Sequence, residues 1–466
     1  MCVRVVGAVL LAAASCLAVT VQAHDKPKND RGPNTVHSHK LANGLVVLVE
    51  EDGRAPTASV NLYYRVGSRN DPPGKMGTTA LAMRMMTHST QHVPAGMYAK
   101  ILLRAGADNT SDTVASDRSM LGTIVPADRI ALPMWLWSDQ MGFFVPQATS
   151  DSLSLAKESM RSEWGHKVQG SPAATLYSLA ETSVFDALHP YHRPSTADPK
   201  EFDTVQVRDV QELHQKWFVP DNAVLSVAGL VEPKAVIELA EKYFGPIPKG
   251  NPGQPQVPAP PKLVEDTWIE GVAPVNRPEL RIYWPTPAYE TPGDYEMDSA
   301  ASVLAGGPVR WMDWDLVDKR AIAEDVWAHQ YSREWGSAFT VSVTLANGHT
   351  HEEALQAVDA VIARLATEGA SDVELMRANR FLAISDMFAF ERPRNRAQRN
   401  AHCQLRYGEA SCLLRRIHRL EEMKSAEMRS VVAQMQKSGR VVLIVRPSAG
   451  APVTGVVTSK TQRSKP

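Results

Sequence analysis

Apolar positions along this chain change period several times, and each change predicts an element. Behind the Asn43-Gly44 turn, "LVVLVE" is a β-rich apolar run, and "TASVNLYYRVGS" alternates as a half-buried strand does. From 75 to 88 the period lengthens to that of a helix. A second helix is expected after Pro94, and Ala127 to Phe144 and Ser152 to Val168 read as longer amphipathic helices. A strand at "AVLSVAG" and a helix at "PKAVIELAEKYF" close a first half near Gly245. Residues 246–262, "PIPKGNPGQPQVPAPPK", hold seven prolines in 17 positions and no apolar periodicity, so they predict an extended, semi-stiff linker. The order then repeats: a strand near "LRIYWP", helices around 293–320, strands near "AEDVWAHQYS" and "SAFTVSVTL", helices from 351 onward, and a strand "RVVLIV". The pattern predicts an α+β chain of two similar units, 37–245 and 263–447, followed by a polar tail, 448–466, expected to be disordered.

Composition changes this picture at the ends more than in the middle. With 466 residues, 44% hydrophobic and 22% charged, the chain can bury substantial cores, and a formal net charge of -1 argues against a nucleic-acid footprint. Residues 1–23 combine a short basic start, an apolar run and a small-x-small ending at Val21-Gln22-Ala23. They read as a secretory signal peptide cleaved before His24, which predicts an exported, periplasmic protein. Lipid anchoring at Cys16 is the weaker reading, because Ala13 stands where a larger aliphatic residue is usual. Residues 24–36 are polar and Pro-rich, a flexible lead-in. No later segment is long and apolar enough to span a membrane. The mature chain keeps Cys403 and Cys412, which either close a short loop as a disulfide or remain as two free thiols.

The first half also carries a resemblance. "LANGLVVLVEEDGRAPTASVNLYYRVGSRNDPPGKMG", "VPAGMYAKILLRAGADNTSDT" and "PYHRPSTADPKEFDTVQVRDVQELHQKWFVPDNAVLSVAG" occur in the order found in the pitrilysin/insulinase zinc peptidases. The likeness extends, more weakly, to about residue 446. It implies two α/β-roll domains of that metallopeptidase type. Members of the family place H-x-x-E-H on a helix, with a further Glu downstream. Residues i and i+4 share a helix face, so two imidazoles grip one Zn²⁺ while the Glu at i+3 serves as base on the metal-bound water.

Set against that helix, "GKMGTTALAMRMM" puts Ala80, Met83 and Arg84 at the His, Glu and His positions, and "AKESMRSEWGHKVQGSP" puts Glu163 at the downstream ligand position. Ala and Met cannot ligate zinc or take a proton, and Arg repels a dication. The resemblance thus implies no catalytic residue and no metal cofactor, although zinc is expected for the family. It also predicts that Arg84 folds onto Glu163 as a buried ion pair. His88 and His92, with His166 near Glu163, offer a displaced metal site, against which stands their place in a polar loop. In the second half, Val317 and Glu324 fall at positions where active relatives present Arg and Tyr. "VLAGGPVRWMDWD" keeps the Gly-rich turn at Gly306 and Gly307 but departs from the family at Pro308 and after. Trp311, Trp314, Trp327 and Trp335 fit either an interface or a core.

Three functions compete. A catalytically silent subunit that pairs with an active zinc-bearing sister to process or degrade peptides fits the missing ligands and the two-domain length. A stand-alone peptide-binding or chaperone-like protein would add an extended peptide to the edge strand carrying Asn109, Ser111 and Thr113, with Asp112 disfavouring acidic ligands. An active metallopeptidase with unorthodox ligands is the third.

Overall fold

The structure is a computed structural model that describes residues 35–193, 198–253, 256–448 and 453–462. The expected signal peptide, Cys16 and the lead-in as far as residue 34 lie outside the described residues. In the first half the strands are β1 (Val36–Lys40), β2 (Val46–Glu51), β3 (Thr57–Tyr64), β4 (Asp108–Val114), β5 (Ser119–Pro126) and β6 (Ala223–Gly229). Its helices are α1 (Thr78–Met86), α2 (Tyr98–Arg104), α3 (Ala131–Phe143), α4 (Ser150–Gly170), α5 (Ala174–Thr182), α6 (Pro199–Phe202), α7 (Val207–Trp217) and α8 (Pro233–Phe244). The second half holds β7 (Glu265–Ala273), β8 (Glu279–Thr286), β9 (Ala323–Tyr331), β10 (Ser337–Leu345), β11 (Val441–Pro447) and β12 (Thr454–Gln462). With them come α9 (Asp294–Leu304), α10 (His351–Thr367), α11 (Asp372–Phe390), α12 (Pro393–Tyr407), α13 (Leu413–Glu422) and α14 (Ser425–Lys437).

The expected repeat is present in the sheets. One runs β1-β2-β6-β3-β5-β4 and the other β12-β7-β11-β8-β10-β9. In each, the second and third strands pair in parallel and the remaining neighbours are antiparallel. The two halves are mixed α+β rolls, as the sequence implied. Both belong to one compact unit, Val36–Pro466.

Two expectations are corrected. The tail is not disordered throughout: Thr454–Gln462 forms β12, antiparallel to β7, and fills in the second sheet the place that β1 fills in the first. Edge amides of β7 gain partners that local composition does not announce. Residues 449–452 and 463–466 lie outside the described residues. The second correction concerns β3. It was expected to be half-buried, but seven of its eight residues are buried. One face, with Leu62 and Tyr64, joins the first-half core. Tyr63, on the other, packs with Leu48, Val224 and Ala401, and Ala401 comes from α12 in the second half.

The exchange is reciprocal. Helix α5 of the first half, with its N-cap Ala173, lays Leu176 and Ala180 on Tyr283, Val441 and Leu443 of the second sheet. Ions reinforce the α12 contact. Arg396 bonds Glu50 through Nε at 2.5 Å and also Asp52, while Asn400 Nδ2 donates to Glu50 at 2.7 Å. Arg54 closes over Asp52 at 2.8 Å and reaches Glu391 at 2.7 Å. Past Cys403 at the end of α12, the chain is held by a Cys403–Cys412 disulfide, which resolves that alternative. The proline segment lies against the second half, where Pro261 comes so close to Gly336 (φ +138) that a Cβ there would sit 2.5 Å from its ring. Trp311 and Trp335 are core residues, whereas Trp314 and Trp327 are exposed.

Candidate functional site

Helix α1 begins where the sequence "NDPPGKMG" turns the chain back on itself. Gly77 takes a left-handed φ of 86° as its N-cap. Asp71 supplies the missing acceptors: it receives the Gly77 N–H at 2.7 Å, the Thr79 N–H at 2.8 Å and the Thr79 hydroxyl at 2.6 Å. Burial outweighs these bonds and pushes its carboxyl up to about 6. The helix closes at Thr87, whose hydroxyl bonds back to the carbonyls of Met83 at 3.1 Å and Arg84 at 3.2 Å.

Along α1, Leu81, Ala82, Met85 and Met86 enter the first-half core. Met83 joins them, so it faces the interior and not a shared cavity. Ala80 and Arg84, four apart, lie half-buried on the outer face. There Arg84 Nη2 donates to Glu163 Oε2, from α4. The pair forms as expected, but it is not buried: the Arg84 side chain is 37% and that of Glu163 68% exposed. Such a pair contributes about 0–1 kcal/mol, so it occupies the position more than it stabilises the fold.

The displaced histidines do not gather around Glu163. His92 bonds Asp139 through Nδ1 and packs edge-on against Phe143 at 5.0 Å, His88 is half-buried, and His166 is exposed. Among the described residues no three His, Cys, Asp or Glu side chains converge to hold a metal ion. The zinc that the family implies does not fit this donor set, since Ala80 has no donor atom, Met83 points into the core, and Arg84 is a cation already on Glu163. Of the second-half positions, Val317 packs against that half's core. Glu324, at the start of β9, is paired with Arg277 at 2.8 Å. Gly307 does need to be glycine, because a Cβ there would meet Ser302 Oγ at 2.1 Å.

β4 is the edge strand of the first sheet, as anticipated for Asn109, Ser111 and Thr113. From Ser111 to Val114 it pairs regularly with β5, leaving its other side open. Asn109 departs from the expectation: it has a φ of 51° and lies in an irregularity of register between Asp108 and Ser111. Ser111 and Thr113 share a face because side chains alternate. That face looks toward α12, where Arg394 Nη2 donates to Ser111 Oγ at 2.9 Å. Asp112 looks the other way and receives the Thr87 hydroxyl of α1 at 3.4 Å. The site is therefore split: α1 and Glu163 flank one face of β4, α12 the other. Arg394 was missed from sequence, since nothing local ties residue 394 to residue 111.

Two family profiles match the chain: Insulinase (Peptidase family M16) over residues 46–130 and the Peptidase M16 inactive domain over 204–382. The chain belongs to peptidase family M16. The zinc protease PqqE of Helicobacter pylori is 25% identical over 325 residues, covering 68% of this chain and 71% of that one. The structure of a peptidase M16 inactive domain from Pseudomonas fluorescens superposes with a TM-score of 0.77 at 20% identity, over 89% of this chain and 98% of the other. The first half of the periplasmic protease PqqL from Escherichia coli gives 0.72 at 12% identity, over 88% and 91%. These structural likenesses establish the pitrilysin-type fold.

Proposed function

We propose that this M16 chain is a catalytically silent, exported subunit that binds extended peptide and pairs with a zinc-bearing sister chain. One observation carries the reading. Where the α1 and α4 helices meet, the guanidinium of Arg84 sits on Glu163, the one carboxylate left at a ligand position of the family, and a dication there would meet a fixed positive charge.

The scaffold around that point keeps what peptide binding requires. β4 offers backbone N–H and C=O groups along an open edge, and an added strand needs little else for affinity. Export is supported by the apolar segment at 5–21 and by the periplasmic relative. Pairing rests on likeness to a family in which a partner completes the active centre, and it is the part most exposed to test.

Isolation of the native complex from the periplasm, with zinc analysis of the separated chains, tests the proposal. The expected result is a second M16 chain bearing H-x-x-E-H at fixed ratio, with zinc and peptide cleavage confined to it. Stoichiometric zinc on this chain, with chelator-sensitive cleavage by it alone, overturns the reading. A lone chain that binds peptides without cleaving them favours the stand-alone peptide binder, which the open β4 edge equally serves.

A further inference from the structure

Between the halves lies a cavity of about 460 Å³, walled by β3, the β4–β5 turn, α12 and the β9–β10 turn. It is on the α12 side of the first sheet, the side to which Ser111 and Thr113 turn. Five arginines, at 65, 118, 333, 399 and 406, and two carboxylates, Asp117 and Glu334, line it. Arg333 is held by Glu181 and Arg399 by Glu290 at 2.8 Å behind the wall, which leaves Arg65, Arg118 and Arg406 to the two lining carboxylates. Both carboxylates are already oversubscribed. Glu334 is approached by Arg69 at 2.6 Å, Arg65 at 3.4 Å and Arg406 at 3.9 Å. Asp117 takes Arg69 at 2.7 Å, the Glu334 N–H at 3.1 Å and the Tyr191 hydroxyl. Arg118, exposed on the β4–β5 turn, has no carboxylate partner among the described residues.

A second observation reports the sign of the local field. His402 of α12 also lines the cavity, and its ring is pushed down to about 3 by burial and by Arg399, Arg118 and Arg406, with no carboxylate pulling the other way. Phe390, Leu405 and the amide side chains of Asn395 and Gln398 complete the wall, a mixture of apolar and amide surface suited to an organic acid.

We propose that this cavity binds a carboxylate group, with Arg118 as its uncommitted clamp. The group is carried either by the C-terminus of a peptide or by a free small organic acid. Guanidinium groups take carboxylates in bidentate fashion, and here an anion would meet the unpaired Arg118 beside Arg65 and Arg406, which share Glu334 with Arg69. The inference needs only the charge and shape of the cavity, and it stands whether or not the chain has a zinc-bearing sister.

The test is calorimetric titration of the mature chain with a ten-residue peptide as free acid, the same peptide as C-terminal amide, and succinate, at low and high salt. Arg118→Ala and Arg118→Lys are the variants, chosen because Arg118 is exposed and unpaired, so the fold should not depend on it. If the peptide terminus is the ligand, the acid binds about tenfold or more tighter than the amide, and Arg118→Ala removes most of that difference while Arg118→Lys keeps part. If a free acid is the ligand, succinate binds with the same dependence on Arg118 and the peptides do not. In both cases binding weakens with salt and the His402 ring, followed by NMR, titrates at higher pH when the ligand is present. Acid and amide binding alike, binding indifferent to Arg118, or no binding by any of the three probes overturns the proposal.

Discussion

The two sheets share a strand order but complete it differently. In the first, the outer strand β1 precedes its neighbour β2 by one turn of chain, so the edge is a local hairpin. In the second, the equivalent place beside β7 waits for β12, nearly 200 residues later and after every helix of that half. The covers differ too. Helix α12 reaches the first sheet with Arg396 and Asn400 buried against Glu50 and Asp52, whereas α5 reaches the second chiefly through apolar residues and an Arg281 stacked 3.3 Å over Tyr177. At the first junction one guanidinium serves two buried carboxylates, while at the second a single pair, Arg333 with Glu181 of α5, stands at the border of an apolar contact, and the two should fail differently.

The largest contrast is expected at those covers. Arg396→Met removes the guanidinium that Glu50 and Asp52 share, leaving Glu50 with Asn400 and Asp52 with Arg54, and should cost about 3 kcal/mol in urea unfolding. Arg281→Met, at a partly exposed site whose stacked contact it keeps in part, should cost about 1 kcal/mol or less. Equal losses would show that the ionic junction is no more demanding than the apolar one.

Acid bears next on an imidazole in each half. In the first-half core, burial holds the His214 ring down at about 4, below its ordinary 6.5, with only the Gln140 carbonyl accepting from it. The unfolded chain therefore binds the proton more tightly, and this stability is fully present above pH 6.5 and lost as pH falls through 4. The shift corresponds to about 3 kcal/mol. His402 on α12 acts in the same direction. Asp71, held up at about 6, works in the opposite direction, so the test is the difference between chains: from pH 7 to pH 4 the unfolding midpoint of the native chain should lose more than that of His214→Gln. A parallel fall in both would remove His214 from the account.

Deletion of residues 448–466 sharpens the edge-strand comparison. Amides of β7 should lose about 1–2 kcal/mol of protection in hydrogen exchange while β2 and β6 are unchanged, and the bared edge should favour self-association in sedimentation. The smallest effect belongs to the Arg84–Glu163 pair. Arg84→Ala should change stability by about 1 kcal/mol at most and leave the chain without peptidase activity, because the ion pair it breaks is open to solvent. A loss of several kcal/mol would mean that the pair supports the fold.

Much of this was legible along the chain. The periods of "TASVNLYYRVGS", "PKAVIELAEKYF" and "SAFTVSVTL" specify β3, α8 and β10, because a side chain's burial is recorded in the residues two, three or four positions away. Likeness to the family placed Arg84 against Glu163 and β4 at an edge. What escaped has one physical cause, contact between residues far apart in sequence. β3 reads as half-buried because alternation describes one covered face, and the second cover arrives from residue 401. The tail reads as polar coil, yet β7 supplies it with a row of unpaired backbone groups, and backbone pairing is indifferent to side-chain composition. The sequence by itself determined most of the elements and the two-fold repeat. Only the tertiary structure decided which helix covers which sheet, that Met83 turns inward while Arg84 turns out, and that five arginines from distant segments share one cavity, since each of these is a property of meeting and not of order.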